Sequence, residues 1–186
     1  MFAVFDDVIT NEECNILKNR IESWYFLNRS DDPKELWNWH RRALDVTPKT
    51  LNPNFHSQFE KDFNLTEKLA NLQEEICIRV INCLQSNLNV KLTLESSELQ
   101  TWIINTNGPS HNHGDNGRQL TDYNSLLYLN NDFNGGEFYT ENGLIVKPKP
   151  GRLTFFDGRN INHGVADIYD NNRYTMIFWW KNTKFN

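Results

Sequence analysis

At 186 residues the chain has the length of one domain with a sizeable core, and 38% hydrophobic with 13% aromatic residues is a globular composition, not a disordered one. A net charge of −5 excludes a global pull toward nucleic acid or anionic lipid. No run approaches the ~18 apolar residues of a membrane span, and the opening MFAVFDDVIT has neither a basic n-region nor a long apolar h-region. A soluble, intracellular (cytoplasmic) protein is therefore expected, with no nucleic-acid and no membrane partner. Cys14, Cys77 and Cys83 are an odd set without metal-ligand spacing; Cys77 and Cys83 fall in a predicted helix and read as small core residues of a reducing compartment.

The first half reads as helical. A short apolar strand opens the chain, and Thr10 with Glu13 then has capping-box spacing ahead of a stripe of Ile16, Leu17, Ile21 and Trp24. Asn64 and Glu67 repeat that spacing before a second helix, whose stripe is Leu65, Leu69, Leu72, Ile76, Val80 and Leu84. Between them, RSDDPKELWNWHRRALDVTPKTLNPNF is rich in Pro, Trp and charge; it reads as irregular, with a short strand near Ala43–Val46. From about Glu98 the texture changes to short β-rich runs punctuated by Asn, Asp and Gly, among them NSLLYLN, RLTFFDG and RYTMIFWWK. Many short strands at even spacing predict a sandwich or jelly roll, with the helices bracing one sheet face.

The chemistry gathers in this second half. On a strand, residues i and i+2 share a face, so His113 and Asp115 in PSHNHGDNGRQL direct an imidazole and a carboxylate at one point. His163 follows an apolar strand and a turn, and Arg173 lies on the next strand with Thr175 beside it. Two histidines and a carboxylate on one face of a metal leave the opposite positions open, which suits non-heme Fe(II). An arginine nearby offers a two-pronged grip on a carboxylate.

The motifs HGD at 113–115, LLYLNNDFNGGEF at 126–138, VKPKPGRLTFF at 146–156, NHGV at 162–165 and RYTMIFWW at 173–180 occur in fixed order. With them the chain resembles the 2-oxoglutarate- and Fe(II)-dependent dioxygenases, in the prolyl 4-hydroxylase-like branch, over about Leu99 to Lys181. The resemblance implies one domain over 1–186: helical support and a candidate lid in 1–97, then a double-stranded β-helix (jelly-roll) core in 98–186. It implies that His113, Asp115 and His163 hold Fe(II). Arg173 would bind the distal carboxylate of 2-oxoglutarate, with Tyr128 and Thr175 beside it. Trp179 shares the strand face of Arg173 and Thr175. The implied reaction consumes O2 and 2-oxoglutarate, releases succinate and CO2, and hydroxylates a C–H bond, in the first place that of a peptidyl proline; the family also admits ascorbate. Some members carry a further tyrosine upstream of the first ligand histidine. Ile104 stands there in this chain, with Trp102 nearby.

Other readings stand beside these. The histidines and Asp115 also suit hydrogen-bonded loop residues or a zinc site. His111 would share the face of His113 and reads as solvent-facing or as a neighbour of the ligands. Trp37 and Trp39 in WNWHRR form either a packed edge or a substrate lid. Arg118 and Arg159 lie in turns near the expected mouth and are candidate substrate contacts. The alternative functions are hydroxylation of a free amino acid or other small molecule, and a metal-binding jelly roll that does not turn over.

Overall fold

The computed structural model describes residues 1–28, 41–54, 66–114 and 121–183. Asp115, Arg118, Trp37, Trp39, His40, His56 and Asn64 lie outside the described residues, as does the side chain of Trp24. Strand β1 (Phe2–Phe5) leads to helix α1 (Asn11–Asn28). The Thr10 amide donates to the Glu13 carboxylate at 2.7 Å and the Glu13 amide donates to Thr10 Oγ1 at 3.2 Å, so the capping box satisfies two amides that a helix start leaves open. Glu13 then takes two bonds from Arg79, and that guanidinium holds its carboxyl below the usual range. The buried stripe of α1 is Cys14, Leu17 and Ile21; Ile16, expected in it, is exposed because it falls one position off that face.

Strand β2 (Arg41–Asp45) precedes helix α2 (Glu67–Asn87). The cap of α2 is Thr66, whose hydroxyl accepts from the Leu69 amide at 3.2 Å, so the helix begins later than the Asn64 spacing predicts. Ile76, Cys77, Val80 and Leu84 are its buried face. Burial pushes the thiol of Cys14 up to about 11 and that of Cys77 up to about 12, which leaves both as inert core side chains.

Ten strands follow: β3 (Leu92–Trp102), β4 (Gly108–His111), β5 (Tyr123–Tyr128), β6 (Asn134–Gly135), β7 (Phe138–Thr140), β8 (Ile145–Val146), β9 (Leu153–Phe156), β10 (His163–Val165), β11 (Ile168–Tyr169) and β12 (Arg173–Asn182). With β1 and β2 they build a six-stranded sheet in the order β1-β9-β5-β12-β3-β2, a four-stranded sheet in the order β4-β10-β7-β8, and the pair β11-β6. The pairings are antiparallel, and the fold is a jelly roll braced by α1 and α2. β1, β2 and the first part of β3 lie before residue 98, so the first half of the chain supplies sheet as well as helices.

The long strand β12 shows how one sequence serves two layers. Tyr174, Met176, Phe178 and Trp180 join Leu17, Ile21, Ile76 and Val80 in the core between the sheet and the helices. Arg173, Ile177 and Trp179 alternate with them and face the space between the two sheets. There Leu126, Tyr128, Phe138, Val146 and Phe156 form a second apolar cluster. Each fully buried aliphatic side chain of the first core contributes about 1.5–3 kcal/mol. The helices thus hold the large sheet rigid from behind while its inner face carries polar groups. Among the described residues, no helix is long and apolar enough to cross a membrane.

Candidate active site

His163 opens β10, directly opposite Thr140 of β7 and His111 of β4. Its Nδ1 lies 2.8 Å from the carbonyl of Ile161; a carbonyl can only accept, so the proton sits on Nδ1 and Nε2 keeps its lone pair. Phe138 and Phe156 pack around the ring, at 5.5 and 4.5 Å between centroids. This burial drives its pKa from 6.5 down to about 4, with His113 and His111 adding to the fall, so the imidazole is neutral and able to coordinate at pH 7.

His113 lies just past β4. Its amide donates to the Gly158 carbonyl at 2.7 Å, and its Nδ1 is 2.7 Å from Asn124 Oδ1 on β5. Gly158 is required by space: a Cβ there would fall 2.0 Å from Asn124 Oδ1 and 2.9 Å from His113 Nδ1. The rings of His113 and His163 stand edge to face with centroids 4.9 Å apart. Ring nitrogens of His111, His113 and His163 all lie within 4.8 Å of one another. His113 and His163 are buried and His111 is exposed. Metal–nitrogen distances near ~2.0–2.1 Å put neighbouring ligands at about 3 Å, within reach of small side-chain rotations.

Arg173, 1% exposed, begins β12 on the same inner face. Its Nε donates to the Gly136 carbonyl at 2.9 Å, and its guanidinium carbon lies 5.2 Å from the centre of the Tyr128 ring. Gly136 has φ +63°, and a Cβ there would meet Arg173 Cδ at 3.0 Å, so the Gly135-Gly136 turn shapes the seat of the arginine. Nη1 and Nη2 of Arg173 are buried with no hydrogen-bond partner among the described residues, as is Thr175 Oγ1. Burial lowers the pKa of Arg173 and raises that of Tyr128. A guanidinium remains charged at neutral pH even so, and a buried unpaired cation is stable only where an anion can join it.

One cavity of about 90 Å³ connects the groups: His113, His163 and Arg173 line it, together with Gln100, Trp102 and Trp179. Ile104 is not among them. It lies in the turn after β3, exposed, beside a larger surface depression of about 310 Å³ that Lys18, Asp132 and Asp170 also line. That depression holds no histidine, so the smaller cavity is where the chemistry can occur. Gln100 and Trp102, on one face of β3, line the cavity instead, Trp102 being the neighbour already noted in the sequence. Arg159 is exposed, pairs with Asp122 at 3.1 Å and does not line the cavity. Asn124 and Gly158 were not legible as site residues. The one available signal for Asn124 was a polar residue two positions before Leu126 and four before Tyr128, on the same strand face.

A sequence model of the 2OG-Fe(II) oxygenase superfamily matches residues 99–181. The 2-oxoglutarate and iron-dependent oxygenase domain-containing protein 3 of Xenopus tropicalis is 28% identical over 94% of this chain, and the chain spans 60% of that relative's length. Prolyl 3-hydroxylase 2 of Mus musculus is 39% identical over a shorter stretch, 32% of this chain and 9% of the relative. Among solved structures, a Trichoplax adhaerens prolyl hydroxylase in complex with a hypoxia inducible factor oxygen degradation domain peptide fragment superposes with a TM-score of 0.65 at 15% identity, covering 98% of this chain and 84% of that one. The family match thus lies in residues 99–181, the segment that carries His113, His163 and Arg173, and the jelly-roll fold is shared with that hydroxylase.

Proposed function

We propose that the chain is a 2-oxoglutarate- and Fe(II)-dependent dioxygenase that hydroxylates a C–H bond, with a peptidyl proline as substrate. The observation that carries the reading is Arg173: a buried guanidinium with Nη1 and Nη2 unpartnered, lining the same cavity as two tautomer-fixed histidines. A dicarboxylate co-substrate would answer both needs at once. Fe(II) and 2-oxoglutarate, when bound, supply the activation of O2, with succinate and CO2 as co-products.

The chain's own groups have distinct tasks in this reading. His113, His163 and Asp115 hold the metal. Arg173 takes the far carboxylate of 2-oxoglutarate by a two-pronged contact, and the Thr175 hydroxyl adds a donor beside it. Tyr128 closes the arginine's other side and excludes water, which strengthens the ion pair. Trp102 and Trp179 wall the cavity where a substrate side chain would enter. The peptide choice is supported by the fold shared with a prolyl hydroxylase that carries a bound peptide, and by the sequence stretch shared with a prolyl 3-hydroxylase.

The test has two stages. Fe(II) and 2-oxoglutarate are added without air and the visible spectrum is recorded; a weak charge-transfer band is expected, lost on admitting O2 as succinate appears. A proline-containing peptide panel is then incubated and weighed by mass spectrometry, with a one-oxygen gain on proline as the expected product. Succinate without any modified peptide would move the substrate to a small molecule. No band in folded, metal-loaded protein would remove the oxygenase reading.

A further inference from the structure

We propose that His111 is a third imidazole ligand of the metal centre in the protein free of 2-oxo acid. The inference rests on the metal-centre reading above and extends it to a residue outside the His-x-Asp pattern. His111 sits directly opposite His163 in the β4–β10 pairing, and two residues before His113. Its ring centroid is 4.7 Å from that of His163 and 5.3 Å from that of His113. A ring nitrogen of each of the three lies within 4.8 Å of the others.

The tautomers agree as well. His111 Nδ1 is 3.0 Å from the Pro109 carbonyl, as His163 Nδ1 is 2.8 Å from that of Ile161 and His113 Nδ1 is 2.7 Å from Asn124 Oδ1. A carbonyl accepts only, so His111 and His163 both carry the proton on Nδ1 and keep the Nε2 lone pair for a metal. An imidazole held by its far nitrogen to an oxygen acceptor is the arrangement of metal-ligating histidines. A histidine that merely faces solvent has no need of it.

The coordination count sets when His111 is engaged. His113, Asp115 and His163 leave three places on a six-coordinate metal. A chelating 2-oxo acid and O2 would need all three, so His111 would have to leave the metal once they bind. It is the one exposed member of the cluster and lies on β4, an edge strand of the four-stranded sheet.

The experiment loads the metal-free chain with Cu(II) and counts coordinated nitrogens by electron paramagnetic resonance, and measures Co(II) affinity in parallel. Wild type should show three imidazole nitrogens, and His111→Ala and His111→Gln should show two. Co(II) affinity should fall about ten-fold in both variants. Adding 2-oxoglutarate should bring the wild-type count down to two. His111 is exposed, so the variants should fold, and circular dichroism checks that they do. Two nitrogens in wild type, or an unchanged count in both variants, overturns the proposal while leaving the His113–Asp115–His163 centre standing. Failure of wild type to bind one equivalent of metal overturns both.

Discussion

Asn124 Oδ1 accepts from the Nδ1–H of His113 at 2.7 Å, and this bond fixes which nitrogen of His113 faces the cavity. Both side chains are buried, so water cannot replace the contact. Asn124→Ala should lower Co(II) affinity by about 10–100-fold through the misoriented ring. It should also cost about 1–3 kcal/mol in urea unfolding, from a buried donor left without an acceptor. Asn124→Asp keeps the acceptor and replaces an amide nitrogen that has no partner among the described residues. It should restore metal affinity to near wild type. An alanine variant that binds Co(II) as tightly as wild type would show that Asn124 does not position His113.

Gly158 is the floor beneath that pair. Its substitution by alanine would place a methyl group 2.0 Å from Asn124 Oδ1, closer than any real contact allows. The neighbour is the short, buried side chain of Asn124 and cannot swing aside as a flexible lysine would. Gly158→Ala should therefore lower Tm and weaken metal binding together. The double variant Gly158→Ala with Asn124→Ala should recover part of the Tm loss, because the clashing atom is gone. Full additivity of the two Tm changes in that cycle would refute a direct clash.

Arg173 reverses the usual sign of a core substitution. Its guanidinium is buried with Nη1 and Nη2 unpartnered among the described residues, a state that disfavours the ligand-free fold. Arg173→Met keeps much of the volume and removes the charge. Replacing buried ionic groups by apolar ones of similar size has stabilised proteins by about 1–4 kcal/mol, so Tm of the ligand-free variant should hold or rise. 2-Oxoglutarate should raise the Tm of metal-loaded wild type and leave that of the variant unmoved, while Co(II) affinity stays nearly constant. A variant that loses metal and 2-oxoglutarate binding together would place Arg173 in the fold and not at the co-substrate.

Legibility followed the range of the interaction that mattered. The Thr10–Glu13 cap and the period-two pattern of β12 are local, and both stand in the structure as the sequence predicts them. The start of α2 moved because Thr66, two residues past Asn64, offers the hydroxyl that the Leu69 amide needs. The surroundings of Ile104 could not be read from alternation, because β3 ends at Trp102 and beyond it the pleat no longer says which way a side chain points. His111 was visible only as a neighbour of His113. Its approach to His163 depends on β4 pairing with β10 across about half of the second half of the chain, and no local pattern encodes that register. Asn124 was hidden for the same reason: its partner is brought to it by a separate strand.

His163 makes the stability of the metal-free protein depend on pH. Its pKa is about 4 when folded and 6.5 when unprotected, because burial among Phe138, Phe156 and the neighbouring imidazoles disfavours the charged form. Between those values the unfolded chain binds more protons than the folded one, so stability rises with pH. The contribution is complete above pH 6.5 and is lost as pH falls toward 4. At about 1.36 kcal/mol per unit the gap is worth on the order of 3 kcal/mol. Asp6, held down to about 2 by its bond with Arg152, titrates lower and does not share this window. Urea unfolding in a chelator from pH 7 to pH 4 should therefore show a loss that is absent in His163→Gln, whose amide does not titrate. Parallel pH profiles for the two proteins would mean that the ring of His163 is free to protonate in the folded state, and that the packing of β10 against Phe138 and Phe156 is looser than the structure has it.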